Sequence, residues 1–231
     1  MPVYLLPEQK DLFPPPNEAE ADGLIAYGGD LSPERLLNAY SLGFFPWYGE
    51  GQPIMWWHPP ERFILFPEQL HVSKSMRPYF NQGKYRVSYN QCFARVIEKC
   101  AIIKRQGQDG TWITDEMIEA YKDLHHLGFA HSVEVWEKDQ LVGGLYGLII
   151  GKIFYGESMF SQAANASKFG FISLVRKLQE QNFLMIDCQQ ETKHLASLGA
   201  ELIPQSEFTA MLNQNMRAIE EGKYKTKSLL K

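Results

Sequence analysis

Three apolar runs between Gly143 and Gln189 constrain this chain more than any other feature. Gly143-Gly144-Leu145-Tyr146-Gly147-Leu148-Ile149-Ile150 leads into Gly151-Lys152, and Ile153-Phe154-Tyr155-Gly156-Glu157-Ser158-Met159-Phe160 leads back. Two such runs joined at Gly-Lys predict a β-hairpin. The third run, Phe183-Leu184-Met185-Ile186-Asp187-Cys188-Gln189, has the length of a strand buried on both faces. It ends in an acid and an amide. Two readings of Glu157 and Asp187 stand at this point. They are solvated strand ends, since exposed carboxylates are common, or they belong to a site at the rim of the sheet, where function collects.

A chain of 231 residues buries a real core and makes one or two domains. The N-terminus has no basic patch followed by an apolar run, so a secretory signal is not expected. No segment approaches the roughly 18 uninterrupted apolar residues of a membrane span, and no membrane partner is expected. Cys92, Cys100 and Cys188 are too scattered for a disulfide framework and lack metal-ligand spacing with the six histidines. The expectation is a reduced, cytoplasmic, metal-free monomer. The net charge of −4 is unevenly spread. Residues 1–62 carry nine acids and three bases, whereas residues 63–105 carry eight bases and two acids. The bases are Lys74, Arg77, Lys84, Arg86, Arg95, Lys99, Lys104 and Arg105, and a second group follows at Arg217, Lys223, Lys225, Lys227 and Lys231. Local basic patches of this kind serve a polyanion even on an acidic protein, although basic surface helices and tails are also common without one.

Ser32-Pro33-Glu34 predicts a helix start, with a side-chain cap, proline in the first turn and an acid at the positive end of the dipole. That helix runs through Leu36, Leu37 and Tyr40 to Gly43. The aromatic stretches 44–48 and 54–60 are broken by prolines and glycines and form no regular element. Most of these rings belong to a core. Trp47, held between Pro46 and Gly49, is the candidate for stacking on a flat group. Residues 62–66 predict a strand, with a domain boundary near 62. Residues 71–80 predict a short helix capped by Ser73, and residues 85–87 a short strand. Ser88 or Asn90 then caps a helix with Tyr89, Phe93, Val96, Ile97 and Cys100 on its apolar face. Thr114 caps another, with Met117, Tyr121 and Leu124 on one face and Gly128 beyond its end. His125, His126 and His131 point in different directions. Strands at 133–136 and 141–144 join the hairpin in a three-stranded antiparallel meander. Ser167 caps a helix with Phe171, Leu174, Val175 and Leu178 as its buried stripe. A strand at 183–188, a short helix ending at Leu198-Gly199, a strand at 201–203 and a helix from 206 to about 216 complete an α+β fold.

That order of elements resembles the acetyltransferase fold called GNAT. The chain is thus read as a small N-terminal α+β domain, residues 1–62, followed by a GNAT-like mixed-sheet domain, residues 63–231. Members that use acetyl-CoA hold its pyrophosphate on a glycine-rich loop at a helix N-terminus. The corresponding residues here, 158–168, contain no glycine, which counts against acetyl-CoA; no cofactor is expected. A second resemblance is more specific. Gly28-Gly29-Asp30-Leu31-Ser32-Pro33, Gly43-Phe44-Phe45-Pro46-Trp47, Trp56-Trp57 with Pro59, Gly110-Thr111-Trp112-Ile113-Thr114, Gly156-Glu157-Ser158-Met159-Phe160-Ser161, Ile186-Asp187-Cys188-Gln189 and Leu198-Gly199-Ala200 are similar to the leucyl/phenylalanyl-tRNA–protein transferases.

This resemblance implies movement of Leu, Phe or Met from its tRNA onto the N-terminal Arg or Lys of a protein, which marks that protein for degradation. It implies that Residues 1–62 help form the donor site. Asp187, Gln189 and Glu157 are the implied catalytic residues, with Glu157 attracting the cationic acceptor. The implied side-chain pocket is lined by Phe154, Gly156, Met159, Phe171, Leu174 and Ile186, with Glu157 at its edge. Trp47 and Trp112 would stack on the terminal adenine, and Lys74, Arg77, Lys84 and Arg86 would grip tRNA phosphates. In an extended strand residues two apart face the same side, so Asp187 and Gln189 would reach one substrate together. Whether Asp187 takes a proton or only orients its neighbours stays open, as do an acyl-CoA-dependent enzyme and a tRNA-binding module without activity.

Overall fold

The structure, a computed structural model, describes residues 3–103, 112–227 and 230. Lys104, Arg105, Lys231 and the Gly110-Thr111 pair singled out above lie outside the described residues.

Two sheets carry the chain. The first is built from β1 (Tyr4–Leu5), β2 (Leu24–Tyr27), β3 (Phe45–Pro46) and β4 (Met55–Trp57), in the order β1-β2-β4-β3, with α1 (Pro33–Leu42) between β2 and β3. The expected signals set α1: Ser32 Oγ accepts from the Arg35 N–H, and Gly43 ends the helix at φ +89°. The second sheet starts with β5 (Glu61–Leu65), so residue 62 falls inside a strand of this sheet. Then come α2 (Arg77–Asn81), β6 (Arg86–Tyr89), α3 (Phe93–Ile102), α4 (Asp115–His126), β7 (Ala130–Glu137), β8 (Gln140–Ile150) and β9 (Ile153–Ser161). The chain continues with α5 (Ala166–Glu180), β10 (Met185–Asp187), α6 (Lys193–Ala196), β11 (Glu201–Pro204) and α7 (Gln205–Glu220). The sheet order is β11-β5-β10-β9-β8-β7-β6. β7, β8 and β9 form the expected antiparallel meander, and β10 returns parallel to β9 after α5, which makes the sheet mixed. The fold is α+β. No described helix is long and apolar enough to cross a membrane.

Several helix starts differ from expectation, and at α3 the contact before the helix comes from a distant strand instead of the local sequence. Neither Ser88 nor Asn90 caps α3. Ser88 lies in β6 and donates to the buried Glu134, whose Oε1 also accepts from the Cys92 N–H before α3 at 3.4 Å. Ser167 does not cap α5 but lies within it; its N–H donates to Ser161 Oγ at 3.2 Å, and Asn165 at φ +60° makes the turn into the helix. The helix expected over 71–80 is a 3₁₀ turn, Lys74–Met76, followed by the single-turn α2, and Ser73 Oγ pairs with Ser75 Oγ. The third apolar run is a strand for three residues only.

Both faces of the second sheet are covered. α5 packs on one, over Leu145, Phe154 and Ile186. α3, α4 and α7 pack on the other, and α1 joins them through contacts with α4 and α7. One core therefore runs from the first sheet into the second.

Two irregularities open this sheet at one place. β8 and β9 pair Tyr146 with Ser158 and Gly147 with Gly156, so Glu157 is the extra residue of a β-bulge. Gly147 is required there, since a Cβ would stand 2.1 Å from the Tyr155 carbonyl oxygen. β10 follows β9 only through Asp187; two residues on, Gln189 takes φ +62° and the pairing stops. Between the parted strands lies a cavity.

Candidate active site

The cavity holds about 480 Å³. β9 supplies Phe154, Gly156 and Met159 to its lining, α5 supplies Phe171, and β10 supplies Ile186. Trp47, just past β3, and Trp112, before α4, line it as well. Trp47 is fixed at both backbone groups, with its N–H on the Met55 carbonyl and its carbonyl accepting from Trp57 Nε1 at 2.7 Å. Seven of the eight residues expected to bind substrate thus come together. Leu174 does not join them: it is fully buried in the core beneath α5. Leu145, Phe45 and Cys188 complete part of the wall.

Asp187 does not line this cavity. It is fully buried, and both of its oxygens are bound by Arg62, from Nε at 2.8 Å and Nη2 at 2.7 Å. Arg62 is equally buried, with its guanidinium 4.5 Å from the Phe45 ring and 4.7 Å from the Phe208 ring. A bidentate pair of this kind holds its geometry firmly. Asp187 Oδ1 also accepts from the Gln189 backbone N–H at 2.9 Å. The expected alternation of side chains fails here, because Gln189 is in the left-handed region instead of an extended strand. The turn aims the Gln189 amide away from Asp187 and onto Glu157, with Nε2 at 3.0 Å from Oε1.

Glu157 is the ionisable centre of the cavity. The residue is 9 % exposed, and its carboxylate takes Tyr40 OH at 2.7 Å on Oε1 and Tyr121 OH at 3.0 Å on Oε2. Burial pushes its pKa up to about 7, with the nearby Asp187 charge adding to the rise, while the two tyrosines and Gln189 pull it down. A carboxyl poised there exchanges protons near neutral pH. Burial, with the Asp187 charge added, pushes the Cys188 thiol up, which favours the protonated thiol. Among the described residues no group of His, Cys, Asp and Glu could hold a metal ion.

Lys74, Arg77, Lys84 and Arg86 are all exposed, on or next to α2 and β6. Lys84 lies 3.8 Å from Glu137 and over the rings of Tyr79 and Tyr85. α2 packs against the start of α5 through Phe80 on Phe169, at 4.4 Å between ring centres. Sequence reasoning missed Tyr40, Tyr121 and Arg62 as parts of the site. The two tyrosines read as apolar-face residues of their helices, and a buried tyrosine's hydroxyl needs a partner that no local pattern reveals.

Fold and cavity together define an α+β enzyme with an apolar slot that ends at a buried acid and an amide. Residues 64–213 match the leucyl/phenylalanyl-tRNA protein transferase family, and residues 29–60 match that family's N-terminal domain. A leucyl/phenylalanyl-tRNA–protein transferase of Christiangramia forsetii is 56% identical over 211 residues, covering 90% of this chain and 99% of the relative. Those of Myxococcus xanthus and Ectopseudomonas mendocina are 52% identical over 218 residues and 56% identical over 206 residues. These alignments cover 94% and 88% of this chain, and 93% and 91% of the relatives. The chain belongs to the leucyl/phenylalanyl-tRNA protein transferase family, and it is an aminoacyltransferase that works from aminoacyl-tRNA onto protein.

Proposed function

We propose that the enzyme moves Leu, Phe or Met from its tRNA to the N-terminal Arg or Lys of acceptor proteins in the cytoplasm, forming a peptide bond that marks them for degradation, and that it acts as a monomer. The observation that carries this reading is the Gln189–Glu157 hydrogen bond beside the apolar slot. Phe154, Phe171 and Ile186 suit an unbranched or γ-branched apolar side chain, and the polarizable Met159 adapts to either shape. Trp47 and Trp112 offer faces on which the terminal adenine stacks without sequence readout.

The ester is already activated, and an α-amine of pKa about 7.7–8.0 is partly neutral near pH 7. Alignment therefore supplies most of the acceleration. The amine nitrogen bonds to the ester carbonyl carbon, the bond from that carbon to the ribose oxygen breaks, and the amine's proton ends on the ribose oxygen. Glu157 carries that proton between the two, since its carboxyl is poised near 7 and touches the slot. Gln189 orients the amine and donates to the developing oxyanion. Asp187 acts one layer back, by fixing the Gln189 backbone. The division into residues 1–62 and 63–231 fits this chemistry, because Phe45 and Trp47 line the slot and Tyr40 reaches Glu157 from the N-terminal part.

Incubation with charged leucyl-tRNA and peptides beginning with Arg or Ala tests the reading. Transfer to the Arg peptide alone is expected. An intact ester with no transfer, or equal transfer to both peptides, would overturn it.

A further inference from the structure

Tyr40 on α1 and Tyr121 on α4 reach Glu157 from helices that supply nothing else to the slot, and their hydroxyl oxygens stand 2.5 Å apart. Three oxygen–oxygen contacts therefore close a ring: Tyr40 to Tyr121, Tyr40 to Oε1 at 2.7 Å, and Tyr121 to Oε2 at 3.0 Å. Each hydrogen bond needs one proton, and two phenols carry two. With Glu157 ionised, one of the three contacts has no hydrogen. With Glu157 protonated, all three are hydrogen bonds. The ring is one proton short, and the carboxyl is where that proton enters.

We propose that Tyr40, Tyr121 and Glu157 form a closed three-oxygen array that stores one proton during transfer, with the tyrosines as positioning residues for the carboxyl. This rests on the transfer chemistry given above. The acceptor's amine enters neutral, its ammonium proton already lost to solvent. As its nitrogen bonds to the carbonyl carbon it releases one N–H proton, which completes the ring and passes to the ribose oxygen as the carbon–oxygen bond breaks. Proton count and bond count are both conserved over the cycle.

The surroundings suit a stored proton. Tyr40 and Tyr121 are fully buried, and burial with the Glu157 charge holds both phenols well above their ordinary range, so neither ionises in place of the acid. Behind the carboxyl, on β10, lies Asp187, countered by Arg62 of β5. Tyr146 of β8 stands edge-on to Tyr121 at 5.5 Å, and Tyr155 of β9 edge-on to Tyr40 at 5.2 Å. Gln189 donates but brings no charge. Among the described residues no cation pairs with Glu157, so the acid's charge is balanced by protonation instead of by a base.

Infrared difference spectra of the free protein between pH 5 and pH 9 read the array without reference to activity. A buried carboxyl band that titrates near pH 7 and is absent in Glu157→Gln is expected. In Tyr40→Phe and in Tyr121→Phe the acid loses a donor that favours its ionised form, so the band and the acid limb of kcat at saturating substrates should both move up by about half to one pH unit. The kcat plateau should fall about tenfold, with both KM values within about twofold. A band that stays in place in the phenylalanine variants, or no titrating band in the parent, would overturn the array. If the parent shows the band and its shift but makes no peptide bond, the array stands and the transfer reading falls.

Discussion

At the residue scale the site depends on how two buried carboxylates are treated. Asp187 has a full counter-ion in Arg62, and Glu157 has only neutral donors. Removing one member of a buried ion pair strands the other. Arg62→Met is therefore expected to cost about 3–5 kcal/mol in urea unfolding, with much of that recovered in the double variant Arg62→Met with Asp187→Asn. Equal costs in the single and double variants would mean the guanidinium matters for its packing on Phe45 and Phe208. Glu157 behaves in the opposite sense. Its ordinary value of 4.5 is raised to about 7, so the folded state holds more protons between these limits. Stability is fully present below about 4.5 and is lost as pH rises through about 7, by about 3 kcal/mol at 1.36 kcal/mol per unit. Glu157→Gln does not titrate, so it should gain that amount relative to the parent between pH 4 and pH 8. Its kcat should fall at least about a hundredfold. A stability gap that ignores pH would place the acid in ordinary solvent. Asp187 and Gln189 were legible as the end of the third apolar run, but the pairing of Gln189 with Glu157 in place of Asp187 was not. Nor were the partners of the two carboxylates: Tyr40 and Tyr121 satisfy a helical apolar stripe equally well with or without a hydroxyl, and Arg62 sits 125 residues from Asp187.

At the element scale, regular pieces were legible where the chain carries its own stop and start signals. Ser32 with Gly43 bounds α1, and Thr114 bounds α4 by accepting from the Met117 N–H. The meander followed from the alternating turns and apolar runs. What escaped were the departures from regularity that make the site. A bulge at Glu157 and a left-handed Gln189 leave no periodic trace, since each arises from how one strand meets its neighbour. Gly147 is the exception, because its backbone passes too close to Tyr155 for any side chain. Gly147→Ala should therefore disturb the bulge and not just the strand. The expected result is a melting temperature lowered by several degrees together with loss of transfer greater than in a surface variant of equal stability. Full activity at reduced stability would mean that Glu157 keeps its aim without the bulge.

At the scale of the whole molecule, the apolar slot and the basic residues lie at different places on the same seven-stranded sheet. In the proposed reading the slot, with its acid and amide, takes only the terminal aminoacyl-adenosine, whereas Lys74, Arg77, Lys84 and Arg86 lie exposed on and beside α2 and β6. An acidic protein with a local excess of bases attracts a polyanion there while repelling it elsewhere. If these four side chains meet phosphates, each one neutralises a charge on the tRNA and releases a counter-ion. The slope of log affinity against log salt should then become shallower by about 0.7–0.9 for each contact removed. Glutamine in place of all four is expected to weaken aminoacyl-tRNA binding steeply at low salt and little at high salt. Transfer from a minimal donor, leucyl-adenosine, should stay within about twofold of the parent, because that donor has no acceptor stem to grip. Equal loss on both donors would mean that the basic face supports the slot through α2 and its packing on α5, and the phosphate contacts would have to be sought on another surface.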